Sequence, residues 1–114
     1  MQAKDNSAKI IEDALALEEA GAFAVVVECV PEEVAKEITE KLKIPTIGIG
    51  AGREVDGQIL VLNDILGLNK AFKPKFVKAY EDFYSLGLKA VKSYIKDVKE
   101  HRFPEDQNVY HKKS

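Results

Sequence analysis

The chain has 114 residues, of which 46% are hydrophobic and 32% charged, enough for one ordinary globular core and too few for a complete large enzyme fold. Seventeen Lys and Arg against nineteen Asp and Glu leave a formal charge of −2, which favours neither nucleic acid nor an anionic membrane as partner. No apolar run approaches the roughly 18 residues of a membrane span, the start lacks a secretory h-region, and the single cysteine, Cys29, excludes an internal disulfide. A soluble, cytoplasmic protein is expected.

The first periodic segment is Lys9 to Glu19. Ile10, Ile11, Ala14, Leu15 and Leu17 form an apolar face, Asn6 or Ser7 can cap the start, and Gly21 is placed to end the helix. Residues 22–27 are continuously apolar and partly β-branched, which predicts a strand buried on both faces in a parallel sheet. Pro31, Glu32 and Glu33 suit a helix start, Val34, Ile38 and Leu42 give its stripe, and Pro45 ends it. Residues 46–49 read as a second buried strand and 50–57 as a loop, with a third strand over 58–62 that ends at Asn63 and Asp64. Pro74 is expected to open a helical region reaching about Leu86. A further helical stretch carries Leu88, Val91, Ile95 and Val98 before a polar tail from His101.

This order predicts an α/β fold with about three parallel strands and flanking helices. Three such strands need both faces covered and their edges paired, so the sheet reads as part of something larger.

Glu28 carries the most information. It ends an apolar parallel strand just before a helix, the rim at which α/β folds bind ligands. Apolar neighbours Val27, Cys29 and Val30 would partly desolvate the carboxylate and suit it to act as a general base. Pairing with a Lys or Arg, or capping the next helix, is the alternative role for a strand-end acid. The alternating glycines Gly48, Gly50 and Gly52 do not fit a dinucleotide fingerprint. Gly50 and Gly52 serve either close packing and a sharp turn or contact with a ligand through their N–H groups. Asp64 could take a metal or a substrate hydroxyl, or cap the turn that precedes Gly67, and the turn is favoured. Cys29 reads as a small buried packing residue. His101 and His111 lack metal-ligand spacing, so no metal site is expected on this chain. The lysines around Lys73, Lys75 and Lys78, and from Lys89 to Lys99, read as solvated helix faces.

Four blocks in order carry a family resemblance: Ala20-Gly21-Ala22-Phe23, then Val27-Glu28-Cys29-Val30-Pro31, then Ile44-Pro45-Thr46-Ile47-Gly48-Ile49-Gly50-Ala51-Gly52, then Asp56-Gly57-Gln58-Ile59-Leu60-Val61 with Asp64. Together they resemble the ketopantoate hydroxymethyltransferase family over about residues 13–76. The resemblance implies a (β/α)8 TIM barrel in a homo-oligomer. It also implies hydroxymethyl transfer from 5,10-methylenetetrahydrofolate to 2-oxoisovalerate (3-methyl-2-oxobutanoate), giving ketopantoate for pantothenate and coenzyme A. Magnesium would bind and polarise the oxo acid, and Glu28 would match the proposed proton acceptor. The family's magnesium-binding acids have no counterparts here, and Asn63 stands where the family typically has His.

By this resemblance Met1-Gln2-Ala3-Lys4 follows a fifth barrel strand. Residues 1–100 would then be the C-terminal part of the barrel, with the equivalents of strands six to eight, and residues 101–114 a polar tail. The chain is accordingly expected to be incomplete and inactive alone. Association with a complementary half would supply the rest. A non-catalytic half-barrel module that self-associates or binds a partner is the alternative.

Overall fold

A computed structural model describes residues 6–113; the Met1–Lys4 stretch assigned by resemblance lies outside them. The described chain forms two compact units. One runs up to Val61 and includes Pro74–Lys78; the other comprises Leu62–Lys73 and the chain from Ala79 onward.

The first unit is a parallel sheet with two helices. Helix α1 spans Ser7–Glu19 with Asn6 at its N-cap position, and buries Ile11 and Ala14. It closes with paired bonds, Gly21 N–H to the Glu18 carbonyl and Ala22 N–H to the Leu17 carbonyl, the pattern that satisfies the last free carbonyls of a helix. Strand β1, Val25–Glu28, leads to α2, Glu32–Lys41, which starts after Pro31 and buries Val34, Ala35 and Ile38. Strand β2 is Thr46–Ile49 and β3 is only Gly57–Gln58. All pairings are parallel and the order in the sheet is β1-β2-β3.

Register decides which side chains share a face. Val25 pairs with Thr46 and Val27 with Gly48, and these four residues are buried on the side that carries α1 and α2. Val26 pairs with Ile47 and Glu28 with Ile49 on the opposite side. There Val26 is 57% exposed and Ile47 and Ile49 are half-buried. The expected burial of β1 on both faces therefore fails: among the described residues no layer covers the second face, so burial alternates along the strand.

One buried polar group underpins the sheet. Thr46 is fully buried, and its N–H donates to Asp56 Oδ2 at 2.9 Å. Its hydroxyl lies 3.2 Å from the same oxygen and 2.8 Å from the hydroxyl of Thr39, which donates to the Ala35 carbonyl. Asp56 N–H in turn donates to Thr46 Oγ1 at 3.2 Å. A second carboxylate, Glu18, accepts the N–H groups of Lys43 and Ile44 at 2.6 and 3.0 Å, fixing the chain between α2 and β2.

The third strand is shorter than expected. After Gln58 the ladder continues through one bond, Ile59 N–H to the Gly48 carbonyl, and stops. Ile59 and Val61 are exposed, and residues from Leu62 turn helical. Asp64 accordingly lies inside α3, Leu62–Ile65, in the second unit, and not at a strand end.

The Pro74 segment, part of the first unit, is a turn, so the helical region expected from Pro74 is corrected; the helix lies further on, in the second unit. A single helix, α4, spans Phe83–Lys99. Asp82 caps it by accepting from Ser85 N–H on Oδ1 at 3.0 Å and from Ser85 Oγ on Oδ2 at 2.7 Å, and Lys70 Nζ also donates to Oδ2 at 2.9 Å. Helix α4 ends with His101 N–H bonded to the Val98 carbonyl and Arg102 N–H to the Asp97 carbonyl. Its stripe Leu88, Val91, Ile95 and Val98 is at the expected spacing, and no residue of the helix is buried.

Candidate functional site

The C-terminal ends of β1 and β2 converge on one rim of the first unit. Glu28 is the last residue of β1, paired with Ile49, the last of β2. Cys29 N–H donates to the Ile49 carbonyl at 2.9 Å and carries the ladder one residue further. Glu28 is exposed, and its side chain makes no hydrogen bond or ion pair among the described residues. The partly desolvated setting expected from its apolar neighbours is thus not found, because Val27 faces the covered side of the strand and Cys29 is itself exposed. Nor does it pair with a cation or cap α2: the N-cap position is Pro31. A carboxylate without partners at this rim is free to accept a proton.

Cys29 is also exposed, against the expectation of a buried packing residue. Its φ of +53° turns the chain sharply off the strand toward α2, and this turn carries the side chain out of the sheet's covered layer. The thiol faces Gly50, where an added Cβ would stand 3.4 Å from Sγ.

The loop after β2 needs its glycines. Gly50 has φ +65° and Gly52 φ +79°. A Cβ on Gly50 would meet the Phe76 ring at 3.0 Å, and one on Gly52 would run into the Glu32 side chain. Both positions combine a left-handed backbone with close approach. The loop is tied at two points. Glu32 Oε2 accepts the Arg53 N–H at 2.9 Å and lies 3.6 Å from Arg53 Nε, and Gln58 Nε2 donates to the Gly52 carbonyl at 2.7 Å.

Around this loop lies a cavity of about 1080 Å³. Gly50 and Gly52 line it with Cys29, Phe76, Lys75 and Lys78, and Glu32 and Arg53 stand at its wall. A smaller cavity of about 400 Å³ runs beside β1, between Glu28 and Val26 on the strand and Ile10, Ala14 and Leu17 on α1.

Glu28, Gly50 and Gly52 therefore lie on the loops and strand ends of one rim, whereas Asp64 belongs to α3. Lys75 and Lys78 belong to a turn that lines the larger cavity, not to a helix face. Their contribution, like those of Glu32 and Gln58, depends on segments far apart in sequence; only the Pro74 before Lys75 hinted at a turn. His101 follows the C-cap of α4, and both His101 and His111 are exposed. Among the described residues no three of His, Cys, Asp and Glu gather as a metal site, and no helix is long and apolar enough to cross a membrane.

The sequence model described as ketopantoate hydroxymethyltransferase matches residues 1–106. A 3-methyl-2-oxobutanoate hydroxymethyltransferase of Pseudothermotoga lettingae is 59% identical over 93% of this chain and 40% of its own length. The enzymes of that name from Thermosipho melanesiensis and Bacillus pumilus are 56% and 52% identical, over 94% and 97% of this chain and 40% of their own lengths. The chain thus spans about 40% of the length of these curated relatives.

Proposed function

The chain belongs to the ketopantoate hydroxymethyltransferase family, and we propose that it supplies the general base and one ligand-binding loop for that reaction in a whole (β/α)8 enzyme. The observation that carries this reading is the exposed, unpartnered carboxylate of Glu28 at the C-terminal end of a parallel strand, beside the Gly50–Gly52 loop. Support for the barrel comes from the sheet. Its strands follow chain order, both helices lie on one face, and the other face and the outer edge of β1 await further strands. These strands correspond, in this reading, to the sixth to eighth of the barrel.

In the reaction so assigned, Glu28 takes the proton from C3 of 2-oxoisovalerate, next to the keto group. The electron pair left behind is held as an enolate. It forms the new C–C bond to the one-carbon unit of 5,10-methylenetetrahydrofolate, whose bonds to the folate nitrogens break. Water supplies the hydroxyl oxygen of ketopantoate, and tetrahydrofolate leaves. The family resemblance assigns magnesium to polarising the oxo acid. The described residues do not form a site for it, so no step here is routed through the metal, and its ligands are assigned to the rest of the whole enzyme. The reading places that enzyme in the cytoplasm as a homo-oligomer, serving pantothenate and coenzyme A synthesis.

The test is product formation. The whole polypeptide containing this segment, given both substrates and magnesium, forms ketopantoate, while the 114-residue chain alone forms none. Turnover by the isolated chain, or none by the whole polypeptide, contradicts the reading.

A further inference from the structure

We propose that Glu32 and Gln58 are positioning residues for the reaction assigned above. Together they lock one peptide of the loop after β2, Gly52–Arg53, and so fix the Gly50–Gly52 backbone that a ligand meets at the rim. The kinetic consequence rests on that reading; the lock itself is a property of the loop.

Two side chains hold the two ends of a single peptide unit. The Arg53 N–H donates to Glu32 Oε2 at 2.9 Å, and the Gly52 carbonyl accepts from Gln58 Nε2 at 2.7 Å. These are the donor and the acceptor of one planar amide, so its plane cannot turn over without breaking both bonds. Such a plane needs holding because Gly52, at φ +79°, has no Cβ to restrict the backbone around it. Glu32 also presses on the loop sterically: a Cβ on Gly52 would run into its Cβ and Cγ. Its pairing with the Arg53 guanidinium is the lesser contact, at 3.6 Å and with the arginine side chain 87% exposed, a setting in which ion pairs are worth little.

The anchors come from different segments. Glu32 opens α2, just beyond the turn that follows Glu28, and Gln58 ends β3. The loop is thereby tied on one side to the corner beside the proposed base and on the other to the sheet. Just before the locked peptide, the N–H groups of Gly50, Ala51 and Gly52 have no acceptor among the described residues. Free backbone donors serve a ligand only in one orientation, and a lock set in advance spares the cost of ordering them on binding.

In the whole polypeptide carrying this segment, hydrogen–deuterium exchange of the Arg53 amide, resolved by mass spectrometry with fragmentation, reads the lock without any substrate. Gln58→Ala should speed that exchange about fivefold, the size of one lost hydrogen bond, although Gln58 does not touch this N–H. In Glu32→Ala and Gln58→Ala, KM for 2-oxoisovalerate or for 5,10-methylenetetrahydrofolate should rise at least about fivefold, while kcat for C3 proton exchange stays within about twofold of the parent. Both side chains are exposed, so the unfolding midpoints should stay near the parent's. Glu32→Gln keeps an acceptor oxygen at the same reach and should restore most of the slow amide exchange and the low KM. An unchanged Arg53 amide in Gln58→Ala overturns the inference. So do unchanged KM values in both alanine variants, a fall in kcat at constant KM, or a Glu32→Gln enzyme as impaired as Glu32→Ala. A parent that forms no ketopantoate refutes the proposed reaction instead, and the amide exchange still decides the lock.

Discussion

Asp56 and Thr46 grip one another across ten residues of chain: the aspartate Oδ2 accepts the threonine N–H at 2.9 Å, while the aspartate N–H donates to the threonine Oγ1 at 3.2 Å. Thr46 opens β2 and is fully buried, so both of its polar groups depend on this carboxylate and on Thr39. The clamp also brings the chain that follows the glycine loop back to pair as β3. It therefore ties β3 to β2, one of the two strands whose ends form the candidate site.

Removing the clamp from one side should be expensive. Asp56→Ala leaves the buried Thr46 N–H without its acceptor and is expected to destabilise the first unit by about 1–3 kcal/mol. Thr46→Val removes the hydroxyl and keeps the shape. Urea denaturation of both single variants and the double variant measures the coupling; additive losses would show that the two residues act independently.

Sequence reasoning reached the local half of this fold and missed the rest for identifiable reasons. Helix α1, its end at Gly21, the Pro31 start of α2 and both four-residue strands follow from periodicity, caps and β-branched runs, all signals within a few residues. The Thr46–Asp56 clamp is invisible to such signals because it exists only once the β2–β3 register is set. The exposure of Val26 and Glu28 has the same origin: an apolar run reports that a strand can be buried, not how many strands are present to bury it. Beyond Gln58 the apolar run Ile59 to Leu62 satisfies strand and helix patterns alike, and the chain turned helical before Asp64. The identity of Glu28 as the strand-end acid came from position alone and agrees with the structure, whereas its desolvation did not.

The glycine loop yields a sharper stability prediction. Gly50→Ala must hold a left-handed backbone and move the Phe76 ring, and is expected to cost about 1–2 kcal/mol. Thermal denaturation checks it; unchanged stability would mean that neither the backbone nor the ring contact constrains this position.

Acid should loosen the start of α4 through one group. The hydrogen bond from Lys70, with those from Ser85 N–H and Oγ, holds the Asp82 carboxyl down to about 2 from its ordinary 3.8. Because the folded value is depressed, the stabilisation is complete above about 3.8 and is lost as pH falls from there through about 2. Helicity followed by circular dichroism should show a step in this window that is absent in Asp82→Asn. An identical acid profile in the variant would remove Asp82 as its source.

At the other end of α4 a gain is expected. His101 occupies the left-handed position, φ +59°, of the two-bond helix ending. His101→Gly relieves that conformation without removing either backbone bond and should stabilise the second unit by about 0.5–1 kcal/mol. A lower denaturation midpoint in the variant would show that the imidazole contributes more than its backbone costs.

The role of Glu28 is tested most directly by isotope exchange. In deuterated buffer, the whole polypeptide carrying this segment should exchange the C3 proton of 2-oxoisovalerate for deuterium in the presence of magnesium and without folate, read by proton NMR. Glu28→Gln removes an exposed side chain with no partner among the described residues, so its unfolding midpoint should match the parent while exchange falls by at least about a hundredfold, the usual contribution of a general base. Exchange at the parent rate in a folded Glu28→Gln enzyme would contradict the assignment of Glu28 as the base.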